Sequence, residues 1–255
     1  MYNVAQPLTG LTVLVTGGTG GIGTAIVMRI ASEGARVIIQ YGRDRQKAEA
    51  LLAQVGGNGF VIGADLSTED GADSLWSAAV EAAGRIHGLI NNAGIRTEVP
   101  LNAEASQWRA AWRREFQVNF FSAADLSRSA VQHFREHGGG RIINIASRAG
   151  QRGYAADALP YGATKAALLN LSKSLASSMG REGIVTLAIA PGWVETDMAS
   201  AYVAQVGKSA AVSDIPVGEM AQPDEIAELV AFTLRASQRS LNGATLDVNG
   251  GSYLR

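Results

Sequence analysis

An α/β fold is predicted, a doubly wound parallel sheet of about seven strands with helices on both faces. Three observations lead there. Short β-branched runs alternate along the chain with segments of helical spacing, and short connections join them, which favours parallel neighbours with right-handed crossovers. A glycine-rich turn links the first strand to the first helix. No linker, low-complexity run or internal repeat divides residues 1–255, so one domain is expected.

Composition narrows the function classes. Hydrophobic residues make up 47% and charged residues 18% of the chain, which suits a sizeable core. A net charge of −1 offers no long-range attraction to nucleic acid or to an anionic membrane. The absence of cysteine excludes disulfides, thiol nucleophiles, iron–sulfur clusters and cysteine-ligated zinc. No uncharged apolar run is long enough to span a bilayer. Residues 1–12 lack the basic region and apolar core of a signal peptide, so a cytoplasmic protein is expected.

Residues 11–15 read as a strand buried on both faces. The turn Thr16-Gly17-Gly18-Thr19-Gly20-Gly21-Ile22-Gly23 follows at once, then a helix over 24–31. In that context glycines admit a pyrophosphate to a helix N-terminus, so a dinucleotide is expected here. The second strand, 35–40, ends without the carboxylate that would hold a ribose 2′-hydroxyl. Arg43 stands beyond it, and a guanidinium suits a 2′-phosphate, which favours NADP(H) over NAD(H). Arg43 and Arg45 also fit the start of the helix over 46–55 as plain solvated residues. A third strand, 60–63, leads to Asp65 and Leu66. Asp65 suits either an adenine amino group or a helix cap.

A helix over 76–83 precedes the fourth strand, 86–90, which ends in Asn91-Asn92-Ala93-Gly94 at the rim where open α/β sheets bind ligands. Residues 103–136 read as one long helix. Trp108, Trp112 and Phe116 form a stripe on it, fit for core or subunit contact. Asn119 interrupts it with a mediocre helix former, either tolerated or marking a kink with a hydrogen-bonding role. His133-x-x-Glu136-His137 matches a zinc signature only superficially; at a helix end these histidines suit the dipole, and no metal is expected. The fifth strand, 141–146, delivers Ser147, whose hydroxyl could meet a substrate carbonyl or cap a turn. Tyr161 and Lys165 fall on one face of the helix over 161–179. An ammonium beside a phenol lowers its pKa and makes a tyrosine general acid/base. After a sixth strand, 184–189, come Pro191, Gly192, Val194 and Thr196. Residues 195–217 lack periodicity and read as a mobile substrate flap. A helix over 223–234 and a strand over 244–248 close the chain.

These spaced elements, in this order, resemble the short-chain dehydrogenase/reductase superfamily from Leu11 to the C-terminus. The segments Pro191–Met198 and Asn242–Gly251 are most similar to the 3-oxoacyl-[acyl-carrier-protein] reductases. The resemblance implies a Rossmann-type fold and hydride transfer between a nicotinamide and a carbonyl or secondary alcohol. Tyr161 would be the acid/base, Lys165 its tuner and the holder of the nicotinamide ribose. Ser147 would position the carbonyl, and Asn119 would hold a water in a proton relay. Gly17, Thr19, Gly21, Ile22, Gly23, Asp65, Leu66, Asn92, Ala93, Gly94, Pro191, Gly192, Val194 and Thr196 would line the cofactor. A small-molecule or acyl-thioester substrate and a homo-oligomer, dimer or tetramer, are implied. Arg109, Arg113 and Arg114 are candidates for a carrier-protein patch.

Three departures bear on the pocket. Ser147 and Tyr161 stand one residue further apart than is usual, so residues 148–160 are expected to bulge. The stretch between Gly94 and Asn119 is slightly longer than in the carrier-protein reductases. Gly20 occupies the place of a basic residue that many NADP-preferring members carry. An NAD-linked sugar, polyol or steroid dehydrogenase is the enzymatic alternative, and a non-catalytic nucleotide sensor the alternative from another class.

Overall fold

The computed structural model describes residues 6–255. Seven parallel strands form one sheet, and the first half of the chain alternates strictly. β1 (Thr12–Val15), α1 (Gly21–Ser32), β2 (Arg36–Tyr41), α2 (Arg45–Gln54), β3 (Gly59–Gly63), α3 (Gly71–Ala83) and β4 (Gly88–Asn91) succeed one another. Next come α4 (Ala105–Phe116), a π-helical turn (Gln117–Phe121), α5 (Ser122–Glu136) and β5 (Gly140–Ile145). The short α6 (Ala149–Arg152), α7 (Leu159–Met179) and β6 (Ile184–Pro191) follow, then α8 (Asp197–Val206), α9 (Lys208–Ala211), α10 (Pro223–Leu234) and β7 (Thr245–Val248).

The strand order is β3-β2-β1-β4-β5-β6-β7, with every pair parallel. The chain winds one way from β1 and the other way from β4. A crevice therefore opens at the carboxyl ends of those two strands, where loops leave in opposite directions.

Period-two alternation divides the core. Val13, Val15, Val37, Ile39 and Ile90 pack against Ile26, Ile30, Val230 and Leu234 of α1 and α10. Leu14, Ile38, Leu89 and Ile142 face the other way, towards Leu75 of α3 and Leu126 and Phe134 of α5. Strands apolar on both sides can lie only between two helical layers, which is why their runs are continuous.

One expectation is refined and one is corrected. The long helix is observed over residues 105–136, and it widens into a π turn at 117–121, so that Asn119 marks an irregularity rather than a tolerated polar residue. Residues 195–217 are not without regular structure: they carry α8 and α9, and Ala199, Ala211 and Ile215 form a small core with Met220, with partly buried Trp193 and Tyr202 beside it. Trp193 and Tyr202 stack at 4.6 Å. That cluster is assembled from residues too irregularly spaced to show a period. The aromatic stripe is a ladder, Trp108 to Trp112 at 5.8 Å and Trp112 to Phe116 at 5.9 Å, and it continues to Phe120 and to Phe121, which is 49% exposed.

All three histidines of the chain gather at the amino end of the sheet. His87 Nδ1 accepts the Thr12 N–H at 3.0 Å, and His133 Nε2 accepts the Ile86 N–H at 3.0 Å. His133 and His137 stack at 4.1 Å, so the zinc-like spacing serves packing and backbone capture. Burial lowers the pKa of His87 and of His133. An unfolded histidine takes its proton near pH 6.5, whereas these two resist it because burial disfavours the charged imidazolium. The unfolded state therefore binds more protons below that pH, and stability is lost as pH falls through it. We expect a lower urea midpoint at pH 5.5 than at pH 7.5, with the difference shrinking in His133→Gln. An unchanged pH dependence in that variant would show that His133 does not carry the effect.

Candidate active site

The crevice is built first by its turn. Gly17 has φ +61°, a left-handed backbone that glycine adopts without strain. Its N–H donates to Gln40 Oε1 at 2.6 Å, while Gln40 Nε2 donates to the Ala64 carbonyl at 2.9 Å. Gln40 thus ties the turn to β2 and to the end of β3. It escaped notice in the sequence, although a buried amide in an apolar strand run was the available signal. On the other side, Thr16 Oγ accepts the N–H groups of Asn92 and Ala93, both at 3.0 Å. Asn92 Nδ2 donates to the carbonyls of Thr16 and Gly17 at 2.9 and 3.1 Å. Its amide is therefore engaged in holding the turn.

A cleft of about 350 Å³ follows. Gly17, Gly21, Ile22, Gly23, Asn92, Ala93, Gly94, Ser147, Tyr161, Lys165, Pro191, Gly192, Val194 and Thr196 line it. No side chain caps the N-terminus of α1, so its first N–H groups remain available to an anion. A Cβ on Gly21 would stand 2.7 Å from Thr196 Cγ2, filling the space that glycine leaves. The cradle fits a dinucleotide pyrophosphate. Thr19, Arg43, Asp65 and Leu66 are not among the lining residues. Asp65 Oδ1 accepts from Ser67 N–H and Oγ at 2.9 and 2.6 Å, which closes a turn; α3 starts only at Gly71, so Asp65 is not the helix cap that the sequence allowed. The side chain of Leu66 belongs to the core. Arg43 is exposed beyond β2, and its charge helps hold the Asp65 carboxyl below its usual range, after the larger effect of the Ser67 bonds.

At the far end β5 carries Ser147, buried, whose Oγ accepts the Ala149 N–H at 3.1 Å. Helix α7 begins at Leu159, with Pro160 in its first turn, where a missing N–H costs nothing. Tyr161 and Lys165 follow on its inner face. Ser147 and Tyr161 both line the cleft, and the Ser147 hydroxyl is near enough to favour the ionised phenol. Lys165 Nζ, buried, donates to the Ile145 carbonyl at 2.8 Å and lies 5.7 Å from the centre of the Tyr161 ring.

The sequence predicts a phenol pKa lowered by Lys165; here burial dominates instead. It pushes the Tyr161 phenol up to about 12, with the Ser147 hydroxyl pulling the other way. Burial also brings the Lys165 ammonium down to about 8. The lysine is turned to the Ile145 carbonyl.

Asn119 sits inside the π turn, where the widened helix displaces backbone groups from their usual partners. Its Oδ1 accepts the Ile95 N–H at 2.8 Å, and its Nδ2 donates to the Ile95 carbonyl at 2.9 Å and to Thr164 Oγ at 3.2 Å. The side chain thereby joins the loop after β4 to α7. Residues 148–160 fold into α6 and a turn that lays Tyr154 against Tyr161, ring centres 5.4 Å apart. Arg96 Nε donates to the Tyr154 hydroxyl at 3.2 Å. Arg96, Arg148, Tyr154, Trp193 and Met198 also line the cleft. None was singled out from spacing, since each arrives from a loop or flap.

The fold and the cleft define a dinucleotide-dependent oxidoreductase site, with a serine, a tyrosine and a lysine gathered beyond the glycine turn. Residues 11–207 match the family model described as short chain dehydrogenase. The chain belongs to that family, oxidoreductases that interconvert carbonyl and alcohol groups with NAD(P). It is 37% identical to the acetoacetyl-CoA reductase of Allochromatium vinosum, over 94% of this chain and 98% of the other. It is 32% identical to the 3-oxoacyl-[acyl-carrier-protein] reductase FabG of Vibrio cholerae, over 97% and 99%. Identity to the L-rhamnose 1-dehydrogenase (NAD(P)(+)) of Azotobacter vinelandii is 34%, over 95% and 96%. Among solved structures, the Pseudomonas aeruginosa RhlG/NADP active-site complex matches with a TM-score of 0.88 and 31% identity, covering 98% of this chain and 99% of that one. No helix among the described residues is long and apolar enough to cross a membrane.

A tyrosinate difference spectrum, wild type minus Tyr161→Phe, is expected to stay flat up to pH 10 in the protein without nucleotide. Ionisation near pH 7 would mean that Lys165 outweighs burial.

Proposed function

We propose that this protein is an NADP(H)-dependent carbonyl reductase acting on a 3-oxoacyl thioester. The observation that carries the reaction class is that Ser147, Tyr161 and Lys165 line one cleft with the glycine turn, Lys165 standing one helical turn beyond Tyr161. Ser147 orients the carbonyl oxygen. The bound nicotinamide supplies a hydride to the carbonyl carbon and, once oxidised, a cationic ring. Tyr161 Oη gives its proton to the developing alkoxide, and its high pKa keeps it protonated for that task across neutral pH. Lys165, held by Ile145, offers its ammonium to the ribose, and the phenolate left on Tyr161 takes back a proton from solvent. Asn119 supports that step by fixing the loop after β4 against α7. Gly17, Gly21 and Gly23 take the pyrophosphate at the N-terminus of α1, and Asp65 keeps one carboxylate oxygen for adenine.

The NADP preference rests on Arg43, exposed past β2 where no carboxylate ends the strand. The thioester substrate is supported by the acetoacetyl-CoA and 3-oxoacyl reductases among the relatives. The exposed arginines Arg109, Arg113 and Arg114 on α4 offer a basic face to an acidic carrier, and the aromatic ladder beside them fits a homo-oligomer contact. A sugar dehydrogenase is the second reading, favoured by the similarity to L-rhamnose 1-dehydrogenase.

Oxidation of NADPH and of NADH, followed by absorbance with an acetoacetyl thioester, tests both readings. We expect turnover with NADPH preferred, and Tyr161→Phe to lower kcat by about 10²–10⁴-fold with nucleotide affinity retained. Loss of one charged phosphate contact in Arg43→Leu should raise KM for NADPH about 10- to 100-fold and leave NADH unaffected. Turnover only with an aldose would replace the thioester by a sugar; full activity of Tyr161→Phe would remove Tyr161 from the chemistry.

A further inference from the structure

Glu115 is a buried carboxylate close enough for its charge to bear on Tyr161 and Lys165, and the mechanism above leaves it idle. It stands in the last turn of α4, one helical turn before Asn119, and is fully enclosed. Its Oε2 accepts the Thr97 N–H at 3.0 Å, while Asn119 holds both backbone groups of Ile95. Two side chains on one helix face therefore grip residues 95–97, and Arg96 between them reaches the Tyr154 hydroxyl. Oε1 of Glu115 has no hydrogen-bond partner among the described residues. A buried carboxylate oxygen without a partner is costly unless a nearby charge compensates it.

The charges around this carboxylate are Arg96, from the loop after β4, and Lys165, from α7. Burial raises the pKa of Glu115, and the Thr97 bond and those two cations oppose it. Around Lys165 stand the Tyr161 ring, the neutral Ile145 carbonyl it bonds, and the Asn119 amide near Gly94. Arg96 and Arg148 lie further along the same cleft. Glu115 is the carboxylate whose charge bears on Lys165.

We infer that Glu115 is a positioning residue, the buried counter-charge that keeps Lys165 an ammonium ion while anchoring the segment that carries Arg96. The inference rests on the reductase reading only for its kinetic test. Glu115→Gln keeps an acceptor for Thr97 and deletes the charge; Glu115→Asp keeps the charge and shortens the reach.

The chain has four lysines, Lys47, Lys165, Lys173 and Lys208, so a lysine-selective 13Cε label gives few resonances. That of Lys165 is identified by its loss in Lys165→Met. Its titration midpoint is expected to fall on the order of one pH unit in Glu115→Gln and to hold near the wild-type value in Glu115→Asp. The alkaline limb of kcat/KM for carbonyl reduction should move the same way, with a roughly fivefold loss at pH 8 as the ammonium fraction drops. A midpoint unchanged in Glu115→Gln, or shifted equally in both variants, would overturn the proposal. A shifted midpoint in a protein that reduces no carbonyl would sustain the charge coupling and refute the reductase reading, so the two failures are distinct.

Discussion

Between the carboxyl ends of β1 and β4 the winding of the sheet reverses, and the gap there is held in shape by Thr16 and Asn92. The Thr16 hydroxyl takes two N–H groups from the β4 loop, and the Asn92 amide returns two bonds to the carbonyls of Thr16 and Gly17. With Gln40 on the other flank, these bonds occupy backbone groups of a turn that neither strand could pair. The N-terminus of α1 is thereby aimed into the cleft. The glycine turn, the rim of β4 and, through Asn119, the start of α7 all take their places from this stitching.

The second constraint is burial of polar groups. Lys165, Ser147, Asn119 and Glu115 are all enclosed, and each has to recover what it lost in leaving water. Lys165 does so through Ile145, Asn119 through Ile95 and Thr164, and Glu115 only half does so through Thr97. In this low-dielectric setting a neutral phenol is favoured over a phenolate, so Tyr161 is held protonated. The direction of tuning is set by solvation as much as by the neighbouring lysine, which spacing alone cannot reveal.

Much of the site was legible because it is local. Gly17, Gly21 and Gly23 lie within one turn, and Tyr161 and Lys165 share a helix face whatever else the chain does. Ser147 was legible as the first polar residue past an apolar strand. By contrast, Arg96, Tyr154 and Trp193 come from segments without periodicity, and their common destination follows only from the way the loops pack. Asp65 shows the opposite case: a helix cap was open in the sequence, but α3 starts at Gly71 and the Ser67 bonds close a turn instead.

The sequence by itself determined the parallel α/β sheet, the glycine turn at the end of β1 and the tyrosine–lysine pair on one helix face. Each follows from residue periodicity or spacing within a single element, and such information survives without knowledge of the neighbours. Only the tertiary structure decided the π turn around Asn119, the helical flap of α8 and α9, the Gln40 and Glu115 contacts and the raised phenol pKa. Those depend on which groups are removed from water together, and that is a property of packing between elements distant in the chain.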